Sequence, residues 1–223
     1  MGCPRRLTCI LFIVAVLGSS AARGAATTLL PPARTDGAMA VERALAVRRS
    51  VRDYVAEPVT LAQAGQILWA AQGITHDRGH RTAPSAGALY PLEIYLVAGV
   101  VEGIDAGTWH YDPRRHGLRL VAPGDARARI AAAALDQDWA ADAPAILLIT
   151  AVHARTARKY GVRAPRYVHM EVGHAAQNVY LQAASLGLGT CMVGAFQDER
   201  LKEVVGLPDT VKVLGVMPFG KPR

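Results

Sequence analysis

The chain has 223 residues, 51% of them apolar, which is enough for one core of ordinary size and points to one domain. Twenty-five Lys and Arg against 18 Asp and Glu leave a formal charge of +7. An excess of that size suits a phosphate-bearing cofactor and gives no reason to expect a nucleic-acid partner.

Residues 1–24 differ from the rest. Arg5 and Arg6 form a positive start, an apolar run covers residues 7–17, and small residues follow to Ala26. This is the layout of a secretory signal peptide, and the run is shorter than the ~20 apolar residues a bilayer span needs. An exported protein is expected, periplasmic or secreted, with no membrane partner after cleavage. Removal of residues 1–24 takes away Arg5, Arg6 and Arg23 and no acid, so the charge falls by three from +7 to +4. Cys3 and Cys9 leave with them, and Cys191 alone cannot form an internal disulfide.

Residues 25–37, rich in Ala, Thr and Pro, read as a flexible tether, and residues 38–223 as the folded domain. A short helix is expected over 39–49. Thr60 caps a second helix, with Leu61, Ala64, Ile67, Leu68 and Ala71 on one face and Gly73 ending it. Residues 93–100 read as a strand, and 108–111 with 118–121 as a hairpin. An Ala-rich helix covers 125–135. The run 145–151 is apolar on both faces, as a central strand is. The longest helix covers 166–186, with Val168, Val172, Ala175, Val179 and Ala183 as its stripe, and Gly187 stops it. Strands at 190–195 and 211–216 enclose a short helix at 198–205. This order describes an α+β fold, a mixed central sheet flanked by helices.

Three segments carry chemistry. In Arg48-Arg49-Ser50-Val51-Arg52-Asp53-Tyr54, three arginines and a hydroxyl fall within five residues, where a helix gives way to extended chain. Arginine's planar fork suits phosphate; a solvated basic helix end is the plainer alternative. In Arg81-Thr82-Ala83-Pro84-Ser85-Ala86-Gly87-Ala88-Leu89-Tyr90-Pro91, small residues crowd a loop feeding a strand, which lets a flat ring approach the backbone. In Gly187-Leu188-Gly189-Thr190-Cys191-Met192-Val193-Gly194-Ala195-Phe196 the glycines follow a helix and precede a strand, the reverse of a dinucleotide fingerprint. His169, Glu171 and His174 share a helix, but one Glu-x-x-His copy without further helical glutamates does not make a di-iron site, and no metal is expected.

Arg-Arg-Ser-x-Arg-x-Tyr resembles the FMN phosphate-binding start of the nitroreductase family. Pro-Ser-Ala-Gly-Ala-Leu-Tyr-Pro-Leu-Glu-Ile-Tyr is similar to the flavin-edge loop of its SagB-type branch, which includes thiazoline and oxazoline dehydrogenases. Lys159-Tyr160-Gly161, Arg166-Tyr167, Glu171-Val172-Gly173-His174, Gln177-Asn178 and the 187–196 segment continue the likeness in order. The resemblance implies two FMN sites at the interface of an intertwined homodimer. It implies that Arg48, Arg49, Ser50 and Arg52 hold the phosphate and pyrimidine side of FMN. Ser85, Ala86 and Gly87 would line the flavin from the partner subunit, Gly194 and Ala195 would face flavin N5, and Lys221 and Arg223 would close on the phosphate. NAD(P)H is the implied donor and a small organic molecule the substrate. Lys159 and Tyr160 match a pair that removes a proton in azoline oxidation, which requires a desolvated lysine; a surface Lys and an anchoring Tyr is the alternative. Three readings stay open: an FMN oxidoreductase acting on small acceptors, a SagB-type peptide azoline dehydrogenase, and a flavin-binding protein without turnover.

Overall fold

β5 (Ala145–Ala151) is buried at all seven positions in this computed structural model, which describes residues 27–223. The expected signal peptide, residues 1–24, lies outside the described residues. β5 pairs with β2 (Leu92–Ala98) on one side and β7 (Lys212–Gly220) on the other. Beyond β2 lie β3 (Gly107–Asp112), β4 (Gly117–Pro123) and β1 (Thr27–Leu29); beyond β7 lies β6 (Gly189–Thr190). Every pairing in this seven-stranded sheet is antiparallel, and parallel contacts are confined to single bridges such as Ser50 with Thr190.

The alternation of β5 explains why it is apolar throughout. Leu147 and Ile149 face α2 (Leu61–Gln72) and α6 (Ala164–Ser185), where Ile67, Leu68, Val168, Ala175 and Val179 meet them. Ile146 and Leu148 face α3 (Arg127–Ala133) and α7 (Asp198–Val205), against Ile130, Leu201 and Val205. Two cores thus share one strand, the arrangement of a sheet covered on both sides. α2 starts at a full capping box: Thr60 Oγ1 accepts from the Gln63 N–H, and Gln63 Oε1 accepts from the Thr60 N–H. Among the described residues no helix is long and apolar enough to cross a membrane.

Five sequence expectations change. The sheet, expected to be mixed, is antiparallel at every strand pairing, because the order of helices and strands along a chain does not fix which way each connection returns. Residues 27–29, read as tether, instead form β1 against β4, and Leu30 after them is buried beside α2. Alternating burial cannot show in a strand of three residues, so composition misled there. The first helix shortens to α1 (Val41–Val47). The strand expected at 190–195 ends at Thr190, because the Met192 N–H turns from the ladder to the Tyr180 hydroxyl at 2.8 Å; Val193 rejoins through a single bridge to Val216. Two helices had no apolar stripe to announce them: α4 (Trp139–Asp142) and α5 (His153–Tyr160), of which the latter buries only Thr156.

Leu147 is fully buried at the centre of the larger core. Leu147→Ala is expected to lower unfolding stability by about 2–5 kcal/mol, the range for deleting a buried leucine side chain. Urea denaturation measures it, and a loss under 1 kcal/mol would mean that the site collapses around the cavity.

Candidate active site

The arginine segment leaves α1 and runs along the end of the sheet. The Val51 N–H donates to the Thr190 carbonyl at 3.0 Å, and the Val55 N–H to the Lys221 carbonyl at 3.0 Å. The buried Tyr54 hydroxyl donates between the carbonyls of Val51 and Pro218, at 2.8 and 3.1 Å. Burial raises its pKa, with smaller contributions from Cys191 and Tyr180. Space for this course comes from glycine. Gly189 pairs with Gly220 across β6 and β7, and a Cβ on Gly189 would stand 2.6 Å from the Val51 Cβ. No other residue lets the segment lie this close.

A groove of about 300 Å³ opens beside it, lined by Arg48, Arg49, Tyr180, Gly187, Gly189 and Pro222 among others. Arg48 stands over the Tyr180 ring at 5.4 Å, and Arg52 over the Trp139 ring at 5.7 Å. Neither forms a salt bridge among the described residues. Ser50 Oγ is 3.2 Å from the Tyr180 hydroxyl. Arg49 instead curls back onto the carbonyls of Ala46 and Arg48. Lys221 and Arg223 do reach this end of the sheet, but each is engaged: Lys221 Nζ with Glu57 at 2.8 Å and Arg223 Nε with Asp53 at 3.0 Å. Gly194 and Ala195 are exposed just past Val193, and their N–H groups take no part in the hydrogen bonds of the described residues.

The Ser85–Tyr90 loop lies elsewhere. Its backbone enters the left-handed region at Gly87 (φ 62°), Ala88 (φ 54°) and Tyr90 (φ 44°). For the last two that geometry is costly and persists only when the surroundings impose it. They do. Glu171 Oε1 accepts the Ala86 N–H at 3.0 Å, Ser85 Oγ accepts the Tyr90 N–H at 2.9 Å, and Arg155 donates to the Tyr90 carbonyl at 3.1 Å. Arg81 stacks over the Tyr90 ring at 4.6 Å. Arg155 also pairs with Glu93, whose other oxygen is 2.7 Å from His110. Burial alone would raise the Glu93 carboxyl, but His110 and Arg155 outweigh it and hold it below its usual range. Glu171 goes the other way: burial raises it, and the hydrogen bonds from Ala86 and Ser85 offset only part of the shift.

Lys159 and Tyr160 meet this loop. A Cβ on Gly87 would lie 2.9 Å from the Tyr160 hydroxyl and 3.1 Å from Lys159 Nζ. Lys159 is exposed and Tyr160 partly buried. The sequence-predicted residues therefore fall into two groups within a protomer: arginines and C-terminal cations at one end, loop and Lys159-Tyr160 at the other. Glu171, which holds the loop, and Tyr180, which lines the groove, sit nine residues apart on α6, about 14 Å along its axis. His169, Glu171 and His174 diverge. His169 packs on His153, Glu171 turns to the loop and His174 is exposed.

Sequence reasoning passed over Tyr180 and the anchoring role of Glu171. Tyr180 sits one residue off the apolar stripe of α6, and the stripe was the only signal there. Asn178 has a comparable part, donating to the carbonyls of Ala70 and Thr82 at 3.1 Å each and so tying α6 to α2 and to the start of the loop.

The sequence pattern of the nitroreductase family matches residues 45–221. The nitroreductase-like protein MJ1384 of Methanocaldococcus jannaschii is 48% identical over 181 residues, covering 81% of this chain and 90% of that one. The microcin B17-processing protein McbC of Escherichia coli is 30% identical over 146 residues, covering 63% of this chain and 54% of its own length. A nitroreductase-like crystal structure from Ralstonia eutropha superposes with a TM-score of 0.77 at 29% identity, over 88% of this chain and 89% of that one.

Gly189→Ala is expected to cost about 1–3 kcal/mol, because the Val51 Cβ is backbone-fixed and cannot move aside alone; thermal unfolding measures it. Glu171 gives a pH signature. Its folded pKa is raised, so its contribution is fully present below the ordinary carboxyl value and is lost as pH rises through the raised one. Glu171→Gln keeps an acceptor for Ala86 and never ionises. The melting temperature of Glu171→Gln relative to the parent should therefore climb as pH rises from about 4 to 8; a flat or falling difference would remove Glu171 from the pH dependence.

Proposed function

From the premise that the chain belongs to the nitroreductase family, a family of oxidoreductases, we propose that it is an FMN-dependent oxidoreductase of small organic substrates, acting as a homodimer. The observation that carries the reading is the arginine groove. Arg48 lines it over the Tyr180 ring with no carboxylate partner among the described residues, and Ser50 and the Gly189 backbone flank it; Arg52, equally without a carboxylate, stands over Trp139 outside the lining. This donor set fits a phosphate dianion, which Arg48 and a hydroxyl bind with short, charge-assisted hydrogen bonds and toward which Arg52 would have to turn. Arg49 would have to leave its backbone carbonyls to contribute, and Lys221 and Arg223 would have to give up Glu57 and Asp53. Those three therefore hold the cradle in shape more than they bind. FMN, when bound, supplies the two-electron chemistry; the protein positions and polarises.

A dimer reading follows from the two separated groups of residues. The loop at Gly87 and the groove at Arg48 lie at different levels of α6, and a second protomer would bring one against the other. The outward face of α6 suits this use: Met170 is about half exposed, Val162 just before the helix is 98% exposed, and Gly173 leaves open space around its Cα. The N–H groups of Gly194 and Ala195 would then serve as fixed donors to the flavin ring edge.

The SagB-type dehydrogenase reading is favoured by one placement, Lys159 and Tyr160 against Gly87, and by the likeness to McbC. The exposure of Lys159 weighs against a proton-removing role in the single protomer. Export, supported by the composition of residues 1–24, would leave the enzyme without a cytoplasmic nicotinamide pool, so its donor there would be another reductant or its own organic substrate.

Arg48→Ala and Arg52→Ala are each expected to weaken FMN binding by about 1.5–3 kcal/mol, the range for a charged hydrogen bond, read by flavin fluorescence on titration. Unchanged affinity in both would refute the phosphate assignment. In the parent protein, visible flavin bands that bleach with NADH without oxygen support the reductase. Bands that persist point to another donor. A protein that stays colourless and does not take up added FMN overturns the reading.

A further inference from the structure

The stretch 152–170 contains Arg155, Arg158, Lys159, Arg163 and Arg166 and no Asp or Glu. It forms α5, a 3-10 turn at Gly161–Arg163 and the first turns of α6. Elsewhere Lys202 pairs with Glu199 and Asp209, Lys221 with Glu57 and Arg223 with Asp53, while scattered exposed cations such as Arg129 and Arg200 make no salt bridge among the described residues. What sets this cluster apart is its density, five cations with no acid between residues 152 and 170. Only Arg155 is engaged, by Glu93 and the Tyr90 carbonyl. Arg158, Lys159, Arg163 and Arg166 are exposed and make no salt bridge or side-chain hydrogen bond among the described residues. Arg158 and Lys159 lie in the last turn of α5, where the helix dipole favours cations, whereas Arg163 and Arg166 stand at the start of α6, where it disfavours them. Repulsion among like charges this close costs stability at that turn, and local rule-breaking of this kind concentrates at functional sites.

Its position gives the use. Arg155 and Lys159 are four apart on α5 and share a face; one reaches the Tyr90 carbonyl and the other lies at Gly87. Tyr160 packs edge-on against Tyr167 at 4.8 Å, which folds the 3-10 turn back over the start of α6. Arg163, Tyr167 and Glu171 form one row at spacings of four, and Glu171 holds Ala86. Of the three, Glu171 bonds to the loop, Tyr167 packs on Tyr160 and Arg163 is exposed at the N-cap of α6. The nearest carboxylates are spent: Glu93 on Arg155 and His110, Glu171 on the Ala86 N–H. A positive rim with no internal counter-charge borders the loop that would face the flavin.

We propose that this rim, in which Lys159 lies at Gly87 and Arg158, Arg163 and Arg166 follow along α5 and the turn into α6, selects a small anionic substrate carrying a carboxylate or phosphate group. The proposal rests on the redox reading above for the word substrate, while the anion site itself does not. Long, solvated side chains concentrate and orient such a molecule through charge, which predicts a strong salt dependence.

The test is equilibrium binding by titration calorimetry on the purified protein, with 4-nitrobenzoate against its neutral near-isostere 4-nitrobenzamide. The anion is expected to bind about tenfold more tightly, with the advantage shrinking between about 50 and about 500 mM salt. Arg158→Gln with Arg163→Gln should abolish most of that advantage and leave the amide unaffected, whereas Arg158→Lys with Arg163→Lys should keep it. The double variant also separates the rim from the Arg48 groove, which attracts anions too. Equal binding of the two probes, or a preference that survives Arg158→Gln with Arg163→Gln, overturns the proposal. A colourless protein that prefers the benzoate keeps the anion site and loses the redox reading; a flavin-bearing protein with no preference does the reverse.

Discussion

The contact of Gly189 with Val51 decides where the arginines of this protein stand. A strand end normally carries side chains that keep neighbouring chain about 5 Å away or more. Here two paired glycines remove them, and the 48–55 segment sinks until its own N–H groups bond to the Thr190 and Lys221 carbonyls. Tyr54 follows it into the core and Arg48 and Ser50 are left at the lip, over Tyr180. The course of the segment beside the groove depends on the missing Cβ of Gly189, which leaves room for Val51, while Gly220 makes room chiefly for Pro144.

The loop at Ser85–Tyr90 reaches rigidity by the opposite route. Nothing about its small residues makes it rigid, and two of its non-glycine residues adopt left-handed backbone angles. It holds because Glu171 from α6 and Arg155 from α5 grip it, with Arg81 just ahead of it stacked on Tyr90. Pre-organisation of this kind is what a redox site needs, since a ring that must be approached within contact distance tolerates little wobble. The groove is rigid through backbone and the loop through side chains, so the two ends respond differently to pH: beside the loop stand two carboxyls shifted in opposite directions, Glu93 on β2 down and Glu171 on α6 up.

Much of this was legible in the sequence where periodicity is long and burial decides. α2 shows its cap and its stop, β5 shows burial on both faces, and α6 shows its stripe. The resemblance of the 48–54 and 81–91 segments identified the family. What failed did so for physical reasons. α5 buries one residue and has no stripe to read; β1 is three residues long. Tyr180 and Glu171 matter through partners distant in sequence, at separations of 130 and 85 residues. The pairing of Lys221 with Glu57 and Arg223 with Asp53 spans 164 and 170 residues, and no local pattern announces which acid a terminal cation will meet.

Those same separations bear on the order of events during synthesis. The arginines of residues 48–52 leave the ribosome early, yet the carbonyls, glycines and tyrosine that fix them belong to residues 180–222. Until that late stretch emerges and its last strand docks, the early arginines have no cradle to belong to, and closing a loop of this length is slow compared with local helix formation. The groove is thus a late structure, absent until residues 180–221 have joined the sheet beside the early arginines.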